Sequence, residues 1–176
     1  GTGFQVQIEG KETIAADGVI LAIPAPEAAA LLEKTAPEAA EILRLTPMAS
    51  SATFTLAYKR NQIPKGLNSF GFLVPHVEQR KINAVTFSSV KWSYRVPDPE
   101  HVLIRTFIGG AKNSHLAVVP DEEMFLWVKQ ELKTILGITE EPKRYWIHRW
   151  INARPQYTMG HLERLKDING YLKKVP

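Results

Sequence analysis

Ser51-Ala52-Thr53-Phe54-Thr55-Leu56-Ala57-Tyr58 reads with a period of two: Ala52, Phe54, Leu56 and Tyr58 face one way, and Ser51, Thr53 and Thr55 face the other. Successive side chains of a strand point to opposite faces, so this stretch is a strand with one face turned to a core. Working outward, further strands are predicted at 70–74, 83–88 and 102–108, with turn-rich segments such as 94–99 and the Pro64-Lys65-Gly66 loop between them. One more strand is predicted at 144–150. Together they predict an α+β fold, a mainly antiparallel sheet packed by a few helices.

The helices announce themselves by their ends. Pro120-Asp121-Glu122-Glu123 places acids in a first turn, Met124, Val128, Leu132, Ile135 and Leu136 supply an apolar stripe, and Gly137 stops the helix. Pro24-Ala25-Pro26 leads into a short helix over 27–33, with Pro26 near its first turn, and a second is predicted over 37–44. A final helical pattern runs from about 160, with Leu162, Leu165 and Ile168 expected inward.

At the start, Phe4, Val6 and Ile8 alternate with Gln5 and Gln7, and Glu9-Gly10-Lys11 turns the chain into Thr13-Ile14, which predicts a small hairpin. Val19-Ile20-Leu21-Ala22-Ile23 is a continuous apolar run between Gly18 and Pro24, the pattern of a strand buried on both faces in a parallel sheet. No partner strands for such a sheet are evident in this sequence, so the run reads as an amputated sheet portion. The expected internal boundary is near residues 24–26; no repeat or low-complexity tract occurs.

The 176 residues are 44% hydrophobic and 23% charged, an ordinary globular balance. The net charge of +4 comes from 22 basic and 18 acidic residues, scattered rather than clustered, which argues against nucleic acid as a partner. The absence of cysteine excludes disulfides, thiol nucleophiles and Cys-ligated metal sites, so redox chemistry here needs a bound cofactor. No apolar run approaches the roughly 18 residues of a membrane span, and the start lacks a signal-peptide layout, so a soluble, cytoplasmic protein is expected. The chain opens on Gly1 rather than methionine and reads as a piece of a longer protein.

Few motifs carry chemistry by themselves. Gly1-Thr2-Gly3 is followed by Val6 and an alternating strand, where a dinucleotide fingerprint needs a third glycine and a helix N-terminus. His76, His101, His115, His148 and His161 never fall at ligand spacing on one helix face, so no metal is expected. Ser88-Ser89 lacks the Gly-x-Ser-x-Gly elbow and is expected at a strand end. Gly109-Gly110 makes an ordinary strand exit, although two glycines also let a backbone approach a ligand. Trp146, His148 and Trp150 share one strand face opposite Tyr145 and Ile147. Such a face fills a core or walls a planar ligand, and both readings stay open.

An ordered set of segments then becomes recognisable: residues 17–24 (Asp-Gly-Val-Ile-Leu-Ala-Ile-Pro), Gly71-Phe72-Leu73-Val74-Pro75, Thr86-Phe87-Ser88-Ser89, Phe107-Ile108-Gly109-Gly110-Ala111, and His148-Arg149-Trp150 with residues 155–161 (Pro-Gln-Tyr-Thr-Met-Gly-His). Over nearly the whole chain this resembles the middle and later part of the protoporphyrinogen oxidase family, within the flavin amine oxidase superfamily. The resemblance implies an FAD-dependent enzyme of haem biosynthesis that oxidises protoporphyrinogen IX or coproporphyrinogen III to the porphyrin, with oxygen as the usual acceptor. Catalysis would rest on placing the macrocycle against the flavin and excluding water, with no catalytic side chain nominated.

By the same resemblance, the substrate-lining positions fall on Leu73, Thr86, Phe107 and Gly110, and positions near the flavin fall on Ala22, Pro24 and Trp150. It also implies a division into 1–24 as a strand portion of the FAD-binding domain, 25–158 as the substrate-binding domain, and 159–176 as a helix leading back toward the FAD domain. The Gly-rich FAD motif, the membrane-association segment and the basic group expected to meet a substrate propionate are all placed outside these residues. The expected partners are therefore the porphyrinogen, those remaining segments and a second copy in a homo-oligomer. The isolated chain should be inactive, and the full-length protein peripheral at a membrane. Another superfamily member, such as a desaturase or polyamine oxidase, and a non-enzymatic planar-ligand module are the competing readings.

Overall fold

A computed structural model describes residues 3–175; Gly1 and Thr2 of the Gly1-Thr2-Gly3 stretch lie outside the described residues. The chain packs as two units, Met48–Arg154 and the pair of segments Gly1–Pro47 with Pro155–Pro176. Among the described residues the architecture is α+β, as the alternation and the helix ends predict.

The larger unit is built on one five-stranded antiparallel-rich sheet in the order β4-β5-β6-β3-β7, where β3 is Met48–Lys59, β4 Gly71–Leu73, β5 Ala84–Phe87, β6 His101–Gly109 and β7 Arg144–Pro155. Directly opposed residues of an antiparallel pair share a face. The pairs Ala52 with Ile108, Phe54 with Thr106 and Leu56 with Ile104 therefore set one common face. On it Ala52, Phe54, Leu56, Tyr58, Val85, Phe87, Val102, Ile104 and Ile108 are buried. The helix α4, Asp121–Leu136, lays Met124, Val128, Leu132 and Leu136 into that core, and Gly137 ends it in the left-handed conformation at φ 74°. A short helix α3, Ser88–Lys91, follows β5 directly. Ser88 and Ser89 thus open a helical turn rather than ending a strand, and the Ser89 hydroxyl accepts the Leu103 N–H at 3.1 Å.

In the second unit β1, Phe4–Val6, pairs antiparallel with β2, Ile14–Ala16, which is the expected hairpin. The helices α1, Ala25–Leu32, and α2, Pro37–Arg44, pack together, and each buries a pair of alanines, Ala28 with Ala29 and Ala39 with Ala40. Side chains this small let two helix backbones approach closely. Arg44 adds ion pairs to Glu33 at 3.3 Å and Glu41 at 2.7 Å.

Residues 19–23 do not form the expected strand, and Ile20 is 94% exposed. A both-faces-buried strand exists only through its neighbours, and no described strand pairs with this run. Likewise Leu162 and Leu165 of α5, His161–Leu172, are exposed, and only Ile168 of the three is half-buried. Helix α5 packs on α2, and the described residues of this unit leave the rest of its apolar stripe uncovered.

Candidate functional site

The face of the sheet opposite α4 is where the predicted positions gather. Register places Leu73, Ala84, Phe107 and Thr53 in one row across β4, β5, β6 and β3. The adjacent row on the same face is Gly71, Thr86, Arg105 and Thr55. Leu73, Thr86 and Phe107 therefore lie on one open surface, within about 10 Å of one another at normal strand spacing. Leu73 is 82% exposed, whereas Thr86 and Phe107 are half-buried.

Strand β7 extends this surface at the far edge. Tyr145 stacks on Phe125 and Phe54 at ring separations of 4.5 and 5.2 Å, which pins its parity to the α4 side. Arg149 shares that parity and clamps the start of α4. Its guanidinium donates to the carbonyls of Ala117 at 3.0 Å and Val119 at 2.7 Å and pairs with Asp121 at 2.6 Å. Alternation then turns Trp146, His148 and Trp150 to the open side. Trp146 and Trp150 are about half exposed, and the His148 and Trp150 rings lie 4.5 Å apart. Of the two readings left by the sequence, core filling belongs to Ile147, with Tyr145 stacked at the margin of the core and still 45% exposed, while the Trp face remains uncovered by the unit that carries it.

Gly109 and Gly110 leave β6 with φ values of 87° and 89°. A Cβ on Gly109 would stand 2.8 Å from the Ser50 carbonyl oxygen, so no other residue fits there. The turn is tied by the Gly110 N–H to Ser50 O at 2.7 Å, by Asn83 Nδ2 to Gly109 O at 2.6 Å and by Ser114 Oγ to Gly110 O at 3.0 Å. Gly110 thus sits at the strand exit as expected, within a fully bonded turn. A cavity of about 260 Å³ lies nearby, lined by Val74, His76, Arg80, Asn83, Asn113 and His115 among others. It contains none of Leu73, Thr86 or Phe107, and the open face is a surface rather than part of that cavity.

Ala22 and Pro24 belong to the other unit, both exposed and outside regular structure; the Pro24 carbonyl accepts the Ala28 N–H at 3.0 Å and so begins α1. The fit to a flavin can be judged by type of contact. Trp150 offers an exposed aromatic plane suited to a flat ring, but no described helix N-terminus follows a glycine-rich phosphate turn. Among the described residues no three His, Asp or Glu side chains group as metal ligands, and no helix is long and apolar enough to cross a membrane.

Sequence reasoning missed Arg105. It lies between Thr86 and Thr55 in the middle of the open face, and its Nε donates to Thr55 Oγ1 at 3.3 Å. The alternation of Leu103, Arg105 and Phe107 against Val102, Ile104, Thr106 and Ile108 could have found it, because it places one charge on the side that faces away from the core.

Comparison with known proteins follows the same outline. Residues 1–169 match the family described as flavin containing amine oxidoreductase. The chain is 34% identical to coproporphyrinogen III oxidase of Mycobacterium leprae over 89% of its own length and 34% of the relative's. It is 30% identical to human protoporphyrinogen oxidase over 97% of its length and 38% of the relative's. A crystal structure from Exiguobacterium sp. 255-15, of a protein assigned as a protoporphyrinogen oxidase, superposes with a TM-score of 0.75 at 31% identity, covering 97% of this chain and 36% of that one. The chain thus spans about a third of the length of the relatives it matches.

Proposed function

Since the chain belongs to the flavin containing amine oxidoreductase family, we propose that it is the substrate-binding portion of an FAD-dependent porphyrinogen oxidase acting on protoporphyrinogen IX or coproporphyrinogen III. The observation that carries this reading is the open sheet face, to which Leu73, Thr86 and Phe107 contribute from β4, β5 and β6, and Trp146 and Trp150 from the edge strand β7. A broad apolar and aromatic surface suits a flat macrocycle, and relatives bearing both porphyrinogen oxidase names support the substrate class.

The chemistry FAD would supply when bound is two-electron oxidation, needed three times to turn a porphyrinogen into the porphyrin, with oxygen as the final acceptor. This chain's residues have a different task. Leu73 and Phe107 would hold the disc by apolar contact, and the Trp face would keep water from the reacting carbon. Orientation of this kind is a large share of what a hydride transfer needs from its protein.

In this reading residues 1–24 join the FAD-binding domain, 25–158 form the substrate domain, and 159–176 return toward the FAD domain. The complete enzyme would be cytoplasmic and peripheral at the membrane. Resemblance in fold alone to other members, such as putrescine oxidase at 19% identity, does not extend to their substrates. The complete flavoprotein carrying this sequence should convert protoporphyrinogen IX or coproporphyrinogen III to a fluorescent porphyrin in air. Turnover of an amine with neither porphyrinogen oxidised would refute the proposal.

A further inference from the structure

We propose that Arg105 is the residue that receives a carboxylate of the substrate, and so fixes how the macrocycle is turned on the face. The inference rests on the porphyrinogen reading above and names a contact within it. The resemblance had placed the basic partner of the substrate propionate outside these residues; the sheet register puts a guanidinium inside the face itself.

The case begins with what the position costs. Arg105 is on β6, flanked by β5 and β3, so its side chain rises from the interior of the sheet and not from an edge. Its row neighbours are Thr86 and Thr55, and the next row holds Ala84, Phe107 and Thr53. All are uncharged. A guanidinium has five N–H donors and no acceptor, and here one of them is directed at Thr55 Oγ1. No described carboxylate lies within ion-pair distance of it, whereas Arg44 and Arg80 each have two and Arg149 has one. The group is half-buried, and Thr55 takes only one of its five donors.

The geometry also selects the ligand chemistry. Thr55 holds the Nε edge, which leaves the terminal nitrogens, and an arginine presents these as a planar fork matched to a carboxylate. Phe107 follows two residues later on the same strand and face, so a disc lying over Phe107 brings its rim to Arg105. A porphyrinogen is such a ligand: an apolar ring system whose rim carries propionates. Arg105 is thus a specificity-determining residue, engaging the rim and not the reacting carbons.

The test uses the complete flavoprotein with wild-type Arg105, Arg105→Met and Arg105→Lys, after flavin content and melting temperature show that each is folded. Substrates are coproporphyrinogen III and its tetramethyl ester, which keeps the ring and removes the carboxylates. Arg105→Met should raise KM for the acid about ten- to a hundredfold, the range of a lost charge-assisted hydrogen bond, with kcat near wild type. Arg105→Lys should recover part of the loss, and the ester should not distinguish wild type from Arg105→Met. An unchanged KM for the acid, or an equal loss on acid and ester, would overturn the assignment of Arg105 while leaving the oxidase reading intact. A wild-type enzyme inert toward both porphyrinogens would instead overturn the reading on which it rests.

Discussion

Gly109 shows how tightly single residues are set around the open face. Its φ of 87° and the 2.8 Å that would separate a Cβ from Ser50 O mean that Gly109→Ala must both strain the backbone and push β6 from β3. Thermal unfolding of that variant should show a loss of about 1–3 kcal/mol. By contrast Leu73, largely exposed, is free of such constraints: Leu73→Ala should change stability by less than about 0.5 kcal/mol while weakening porphyrinogen binding, which a KM measurement would detect. Local rules marked Gly109 only as part of a strand exit; its positive φ and the close Ser50 carbonyl come from the packing of β6 on β3. Leu73, Thr86 and Phe107 were not legible in that way. Nothing in an exposed leucine or a half-buried threonine marks a binding role, and the resemblance alone singled them out, after which register brought them onto one face. Arg105 belongs to no acid–base pair or metal-ligand pattern, and its signal is a charge on the outward-facing parity of β6.

Elements were read best where their order comes from their own side chains. The alternation in β3, the acidic first turn and apolar stripe of α4, and the proline starts of α1 and α2 each survive because core burial or capping agrees with local preference. Residues 19–23 failed for the opposite reason: a continuous apolar run specifies burial but not its partners. The outer half of α5 is similar, for Leu162 and Leu165 make a stripe that α2 does not cover. Strand β7 is held through Arg149 and the Tyr145 stack. Arg149→Met removes the bonds to Ala117, Val119 and Asp121 together, so it should destabilise by about 1–3 kcal/mol and raise amide exchange in β7, as hydrogen-exchange mass spectrometry would record.

At the scale of the molecule, the sheet works as a wall with two unlike sides. One is a closed core against α4, and the other is an open surface of aromatic, apolar and hydroxyl side chains with Arg105 in its midst. A protein that orients a flat, carboxylate-rimmed substrate for hydride transfer needs such a division, because rigidity comes from one side and recognition from the other. The flavin's phosphates have no cradle among the described residues, so residues 1–176 produced alone should not retain FAD through gel filtration. The claim that this face receives the porphyrinogen is tested most directly by steady-state porphyrin formation in the complete flavoprotein with Phe107 and with Phe107→Asp. A carboxylate set against the apolar disc should lower kcat/KM at least about tenfold while flavin content is kept. Equal kcat/KM in the two proteins, with the flavin retained, would contradict it.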